Sequence, residues 1–134
     1  MIEILFKGKR KDNGEWIEGF YVCLGNDLHY ILTGKLDLTK HCVMFEKHAV
    51  IPETVGQYIG LTDKNGKKIF EGDVVNFKTT AYFFKNCRIN YESQFARFCA
   101  IDNKGYEYPM DKTFNYEIVG NVFDNPELLR SDTE

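Results

Sequence analysis

This sequence predicts a mainly β protein, and three observations carry the prediction. Short runs alternate between apolar and polar residues, the period of a half-buried strand. Turn-forming glycines and asparagines separate those runs at intervals of about 8–12 residues, the rhythm of a small barrel or sandwich. Aromatic residues, which favour strands and dominate cores and interfaces, are abundant, with eleven Phe, eight Tyr and one Trp in 134 residues.

Taken in order, residues 2–7 alternate around Ile2, Ile4 and Phe6 and predict a first strand. Asn13-Gly14 supplies the positive-φ residue of a tight hairpin, and Trp16 to Cys23 forms the return strand. Gly25-Asn26 turns the chain into Leu28 to Leu32, so the front of the molecule is a meander. Thr33-Gly34 reads as a strand break, and residues 33–48 show no clean period. Pro52 opens a short irregular stretch that leads into a strand from Val55 to Leu61. Asp63-Lys64-Asn65-Gly66 is the strongest turn signal, with Gly66 expected in the left-handed region at a hairpin tip. Ile69-Phe70 returns, Glu71-Gly72 bends the chain, and Asp73 to Phe77 departs as a new strand. Four more strands are expected in 81–91, 95–101, 106–110 and 116–123. A short helical turn closes the chain, with Asn125 as its cap, Pro126 at its first position and Leu128 and Leu129 pinning it down. The expected division is an N-terminal meander lobe, 1–52, and a second lobe, 53–134, with one compact unit as the alternative.

Composition narrows the function. No apolar run approaches the ~20 residues of a membrane helix, and the N-terminus has no secretory h-region, so a cytoplasmic protein with no membrane partner is expected. Four cysteines, none in a Cys-x-x-Cys pair, are expected to be reduced. Net charge is −3. Residues 1–52 balance seven basic against seven acidic residues, whereas 53–134 carry ten against thirteen. That balance argues against non-specific nucleic-acid binding, which needs a basic surface to release counterions from phosphates.

Candidate chemistry is sparse. His41-Cys42, with His29 and His48 near in sequence, is the one metal-like cluster, but adjacent residues on a strand point to opposite faces and cannot share an ion. Glu71 and Asp73 have the spacing of a paired carboxylate and suit a turn hydrogen bond better. No nucleophile elbow and no phosphate-binding glycine loop is present. No catalytic residues, metal or cofactor are therefore expected, and the chain reads as a non-enzyme. Tyr82-Phe83-Phe84 puts rings on both faces of one strand and is the candidate partner or self-association surface. Lys85, Arg88, Tyr91 and Arg97 interleave cations with a ring and are the candidate nucleic-acid contacts of the alternative reading.

Three stretches together resemble the YopX family of bacteriophage and prophage proteins. They are Gly8-Lys9-Arg10-Lys11-Asp12-Asn13-Gly14-Glu15-Trp16 with Gly19 following, the block from Val50 to Val75, and Glu117 to Phe123 followed by Asn125-Pro126-Glu127-Leu128-Leu129. The middle block is the specific one, through Pro52-Glu53-Thr54-Val55-Gly56-Gln57-Tyr58 and Ile69-Phe70-Glu71-Gly72-Asp73. Residues 24–48 and Tyr82-Phe83-Phe84 have no counterpart in the pattern. The resemblance implies a phage or prophage origin, an SH3-like small barrel in the C-terminal lobe, and self-association. It transfers no activity and no site residue. The resulting expectation is a phage accessory protein that acts by binding, as a homo-oligomer. Its alternatives are a nucleic-acid-binding barrel and, more weakly, a sponge or scaffold for a small ligand.

Overall fold

The computed structural model describes residues 2–130. Eleven strands and two 3₁₀ turns make up its regular structure: β1 (Phe6–Lys9), β2 (Trp16–Cys23), β3 (His29–Asp37), β4 (Cys42–Ala49), β5 (Gly56–Thr62), β6 (Lys68–Phe70), β7 (Asp73–Lys78), β8 (Phe83–Glu92), β9 (Arg97–Ile101), β10 (Glu107–Pro109) and β11 (Asn115–Asn121), with the turns at Pro52–Thr54 and Pro126–Leu129. All pairings are antiparallel, so the protein is mainly β. The chain divides into two compact units, Met1–Tyr58 and Ile59–Glu134, and the dividing point falls inside β5.

In the first unit the strands lie in the order β4-β3-β2-β1-β5. Asn13-Gly14 makes the first hairpin as expected: Gly14 has φ +72°, and Asn13 Oδ1 accepts the Glu15 N–H. Lys7 and Lys9 lie over the Trp16 ring, at 4.9 and 5.7 Å from its centre. Gly19 is required by the close approach of β3, since a Cβ there would sit 2.2 Å from the Leu32 carbonyl oxygen. The expected strand break at Thr33-Gly34 does not occur. β3 runs through it to Asp37 and pairs with β4 from Tyr30↔Ala49 to Asp37↔Cys42. Gly34 is a resting place for the Phe45 ring, whose Cε1 would lie 3.4 Å from a Cβ at that position. The β3–β4 turn is held by Asp37 Oδ1, which accepts the Thr39 and Lys40 N–H groups.

The expected lobe boundary at 52/53 falls a few residues early. Thr54 Oγ1 accepts the Lys9 N–H, and Gly56 and Gln57 pair with Lys7 and Phe6. Those long-range bonds tie residues 54–57 to the first unit.

In the second unit an open five-stranded sheet has the order β10-β9-β8-β7-β11. Its core gathers Ile69 of β6, Val75 and Phe77 of β7, Cys87 and Ile89 of β8, Ala100 of β9 and Tyr116 of β11. Ile59 and Leu61 of β5 pack against that cluster. The β5–β6 hairpin thus covers one face of the sheet. Its tip matches the sequence reading, with Gly66 at φ +81°. Asp63 ties the tip down, since its carboxylate accepts the N–H groups of Asn65, Lys67 and Ile118. Phe77 is the hub: its ring stacks on Phe84 (4.6 Å between centres) and Phe114 (6.0 Å) and meets Tyr108 and Tyr116. Burying a ring of this size stabilises by about 1.5–3 kcal/mol.

The closing turn at Pro126–Leu129 is present as 3₁₀ rather than α-helix, and Asn125 does not cap it. Asn125 Oδ1 instead accepts the Asn121 N–H and fastens the turn back to the end of β11.

Candidate functional site

A cluster of exposed apolar residues lies on the β3–β4 hairpin. β4 is the edge strand of its unit, and every residue of it except His48 is exposed. Val43 and Phe45 share one face of the hairpin with Leu36, the cross-strand partner of Val43. Exposure is 62% for Leu36, 73% for Leu38, 54% for Val43, 47% for Met44 and 58% for Phe45. A groove of about 490 Å³ runs along the same hairpin, lined by Leu36, Leu38, Met44 and Phe45 with Lys35, Asp37 and Glu46. Sequence reasoning missed this surface. A strand exposed on both faces carries no alternation, so Leu36, Leu38 and Val43 gave no period to read.

The aromatic triplet is divided. Tyr82 and Phe83 are exposed, at 70% and 64%. Phe84 is half-buried, with its ring 4.6 Å from Phe77 and 4.5 Å from Tyr108. The surface the triplet offers is therefore Tyr82 and Phe83, while Phe84 belongs to the core packing.

Lys85, Arg88, Tyr91 and Arg97 are all exposed, yet they do not form one patch. Lys85 and Arg88 flank the inward residues Phe84, Cys87 and Ile89 and so point to the opposite face of β8. Tyr91 keeps the parity of Ile89 and meets Phe98 edge-on at 5.4 Å. Arg97 lies over the Phe95 ring at 4.8 Å.

Beside Phe83 a second cleft, of about 260 Å³, is lined by Phe83, Phe84, Lys85, Asn86, Asp102, Asn103, Lys104 and Arg130. Asp102 faces it with its oxygens already engaged. Oδ1 accepts the Lys104 and Tyr106 N–H groups, and Oδ2 accepts the Tyr108 hydroxyl at 2.9 Å. Burial raises the Asp102 carboxyl, but those donors outweigh it and hold the group below its ordinary value. Tyr108 is pushed up to about 12 by burial and by Asp102, so it remains the donor.

The metal-like residues are apart in role. His29 accepts the Tyr21 hydroxyl at Nδ1 (2.5 Å), and its Nε2–H donates to the Asn26 carbonyl (3.0 Å), which fixes the tautomer. His48 bonds Thr33 Oγ1 at 3.1 Å, and His41 sits in the β3–β4 turn at φ +52°. Among the described residues no three His, Cys, Asp or Glu side chains gather to hold an ion. Asp73 Oδ2 accepts the Phe70 N–H at 2.8 Å, which is the turn bond expected of the Glu71–Asp73 pair. All four cysteines are free; Cys23 and Cys42 are exposed, Cys87 and Cys99 buried.

The model of the YopX protein family matches residues 5–130, nearly the whole chain. The chain belongs to the YopX family. This chain carries two surfaces of different character, an apolar hairpin edge and a cleft with three cations beside an exposed ring. Among solved structures it is similar to protein EF1440 from Enterococcus faecalis, at 22% identity and a TM-score of 0.57, over 97% of this chain and 100% of that one. That likeness shows the fold. A search of curated proteins finds no match. No helix among the described residues is long and apolar enough to cross a membrane.

Proposed function

We propose that this YopX protein is a non-enzymatic, phage-type accessory protein of the bacterial cytoplasm that acts by binding, assembled from copies of itself. The observation that carries the reading is β4, an edge strand with an apolar surface. An unpaired strand edge is a template for another strand, and a large exposed apolar patch marks an interaction site. The strand is also self-complementary. In an antiparallel pair with its two-fold axis at Met44, Val43 of each copy stands opposite Phe45 of the other, a favourable β-branched–aromatic pair.

In this reading the second unit is an SH3-like small barrel. The β5–β6 hairpin packed over a β7-β8-β9 meander supports it, as do the register shifts in β8 and β11, where strands bend.

Light scattering over a concentration series tests the assembly. The wild type should be oligomeric at micromolar concentration, and Val43→Lys and Phe45→Glu should each dissociate it without lowering the melting temperature of the separated chains. A wild type that is monomeric throughout, or an assembly indifferent to both changes, overturns the reading. Dissociation by Phe83→Glu alone would move the interface to the Tyr82–Phe83 surface.

A further inference from the structure

The cleft beside Phe83 gathers cations around an exposed aromatic ring. The chain is acidic overall, yet Lys85, Lys104 and Arg130 converge on one small cleft, and none of them makes an ion pair with any described residue. The single carboxylate there, Asp102, is engaged by two backbone N–H groups and the Tyr108 hydroxyl. Three cations against one committed anion leave a net positive field. Phe83 stands at the rim with 64% of its surface exposed, and Lys78, its cross-strand partner, is a further exposed cation. Asn86 and Asn103 add amide groups to the lining.

From this juxtaposition we infer that the Phe83 cleft binds a nucleoside phosphate, with the base stacked on the Phe83 ring and the phosphate held by Lys85, Lys104 and Arg130. An exposed ring beside cations is how proteins hold bases without reading sequence, and each stacked base is worth about 1–3 kcal/mol. The cleft is smaller than the ~300–1,000 Å³ of pockets that enclose a drug-sized ligand. That size suits one nucleotide lying partly in solvent. Two sources share this chemistry: a free nucleotide, and a nucleotide within an exposed single strand. The site uses Lys85 from the alternative reading of the sequence, but adds Lys104 and Arg130 and leaves out Arg88, Tyr91 and Arg97. It does not depend on β4 pairing.

Adenosine triphosphate, inorganic pyrophosphate and a short labelled oligothymidylate are titrated separately into the full chain at low and high salt. The nucleotide or the oligonucleotide should bind, more weakly as salt rises. Loss of one stacked ring in Phe83→Ala should weaken that binding about tenfold and leave pyrophosphate unchanged. A Lys85→Ala and Arg130→Ala double variant should weaken all three probes and flatten the salt dependence. Phe45→Glu should bind like the wild type, which separates this test from the assembly test. Melting temperatures confirm that the variants fold, which their exposed positions favour. Binding of the oligonucleotide alone assigns the site to a strand, and binding of the triphosphate alone assigns it to a free nucleotide. No binding of either, binding indifferent to Phe83 and to the cation pair, or equal affinity for pyrophosphate would overturn the inference.

Discussion

Strands β4 and β7 draw on similar residues and live in opposite surroundings. β4 carries Val43, Met44 and Phe45 in the open, while β7 carries Val74, Val75 and Phe77 at 2% exposure or less. The difference lies in their neighbours. β7 has β8 on one side, β11 on the other and the β5–β6 hairpin packed over Val75 and Phe77. β4 has β3 on one side and no strand of its own unit on the other. Apolar content fixes what a strand can bury, and sheet order decides whether it does.

The largest effect should come from removing the hub. Phe77→Ala empties the centre of an aromatic cluster and should cost about 3–5 kcal/mol in urea unfolding. Phe45→Ala, the matching change in β4, should move the stability of the separated chain by no more than about 0.5 kcal/mol. Similar costs at the two sites would break the comparison.

Asp63 sharpens it from the polar side, because the hairpin that covers β7 hangs on this carboxylate. Burial pushes Asp63 up, but the amides of Lys67, Ile118 and Asn65 outweigh that and leave it below its ordinary value. A carboxyl depressed in the folded state stabilises the fold above the unfolded value and loses that contribution as pH falls through the folded one. Stability should therefore drop on acidification below about pH 4. Asp63→Asn should cost about 1–3 kcal/mol at neutral pH and make the acid loss shallower. Melting temperature against pH reads both. An unchanged profile would show that the hairpin is held by packing alone.

The thiols give the mildest probe. Burial, then Asp102, pushes Cys87 up to about 12, and Cys99 is raised by burial as well. Cys42, on β4, is exposed. Near pH 8 a thiol reagent should label Cys23 and Cys42 in the folded protein, and Cys87 and Cys99 only after denaturation. Cys42 should also be protected as protein concentration rises if β4 is covered by a second copy. Rapid native labelling of Cys87 would contradict a sealed second-unit core.

The sequence was most legible where a local signal had a local cause. Asn13-Gly14 and Asn65-Gly66 are hairpin tips because positive φ is needed within the turn itself. Gly34 misled for the converse reason. A glycine in a strand signals a break, a bulge or a close approach, and only the position of Phe45 on the next strand shows which. Asn125 carried the chemistry of a cap, but Asn121 lay within reach of the same oxygen. Of the candidate sites, the exposed rings at Tyr82 and Phe83 were visible as a cluster in sequence. Lys104 and Arg130 were not, because they reach the Phe83 cleft from the β9–β10 turn and from beyond the last strand.

One residue of β8 changes what a small genetic lesion would do. Asn86 sits at φ +54°, where its N–H is taken by Asn76 Oδ1, and the ladder slips from Phe77↔Phe84 to Val75↔Cys87. β8 therefore holds one residue more than a regular ladder needs. A codon lost at Asn86 would leave Phe84, Cys87 and Ile89 alternating inward as before. A codon lost at Arg88 would throw Ile89 and everything after it to the wrong face. Length variation within β8 is thus absorbed at a single step of the strand, and drift in this region of the coding sequence should concentrate there.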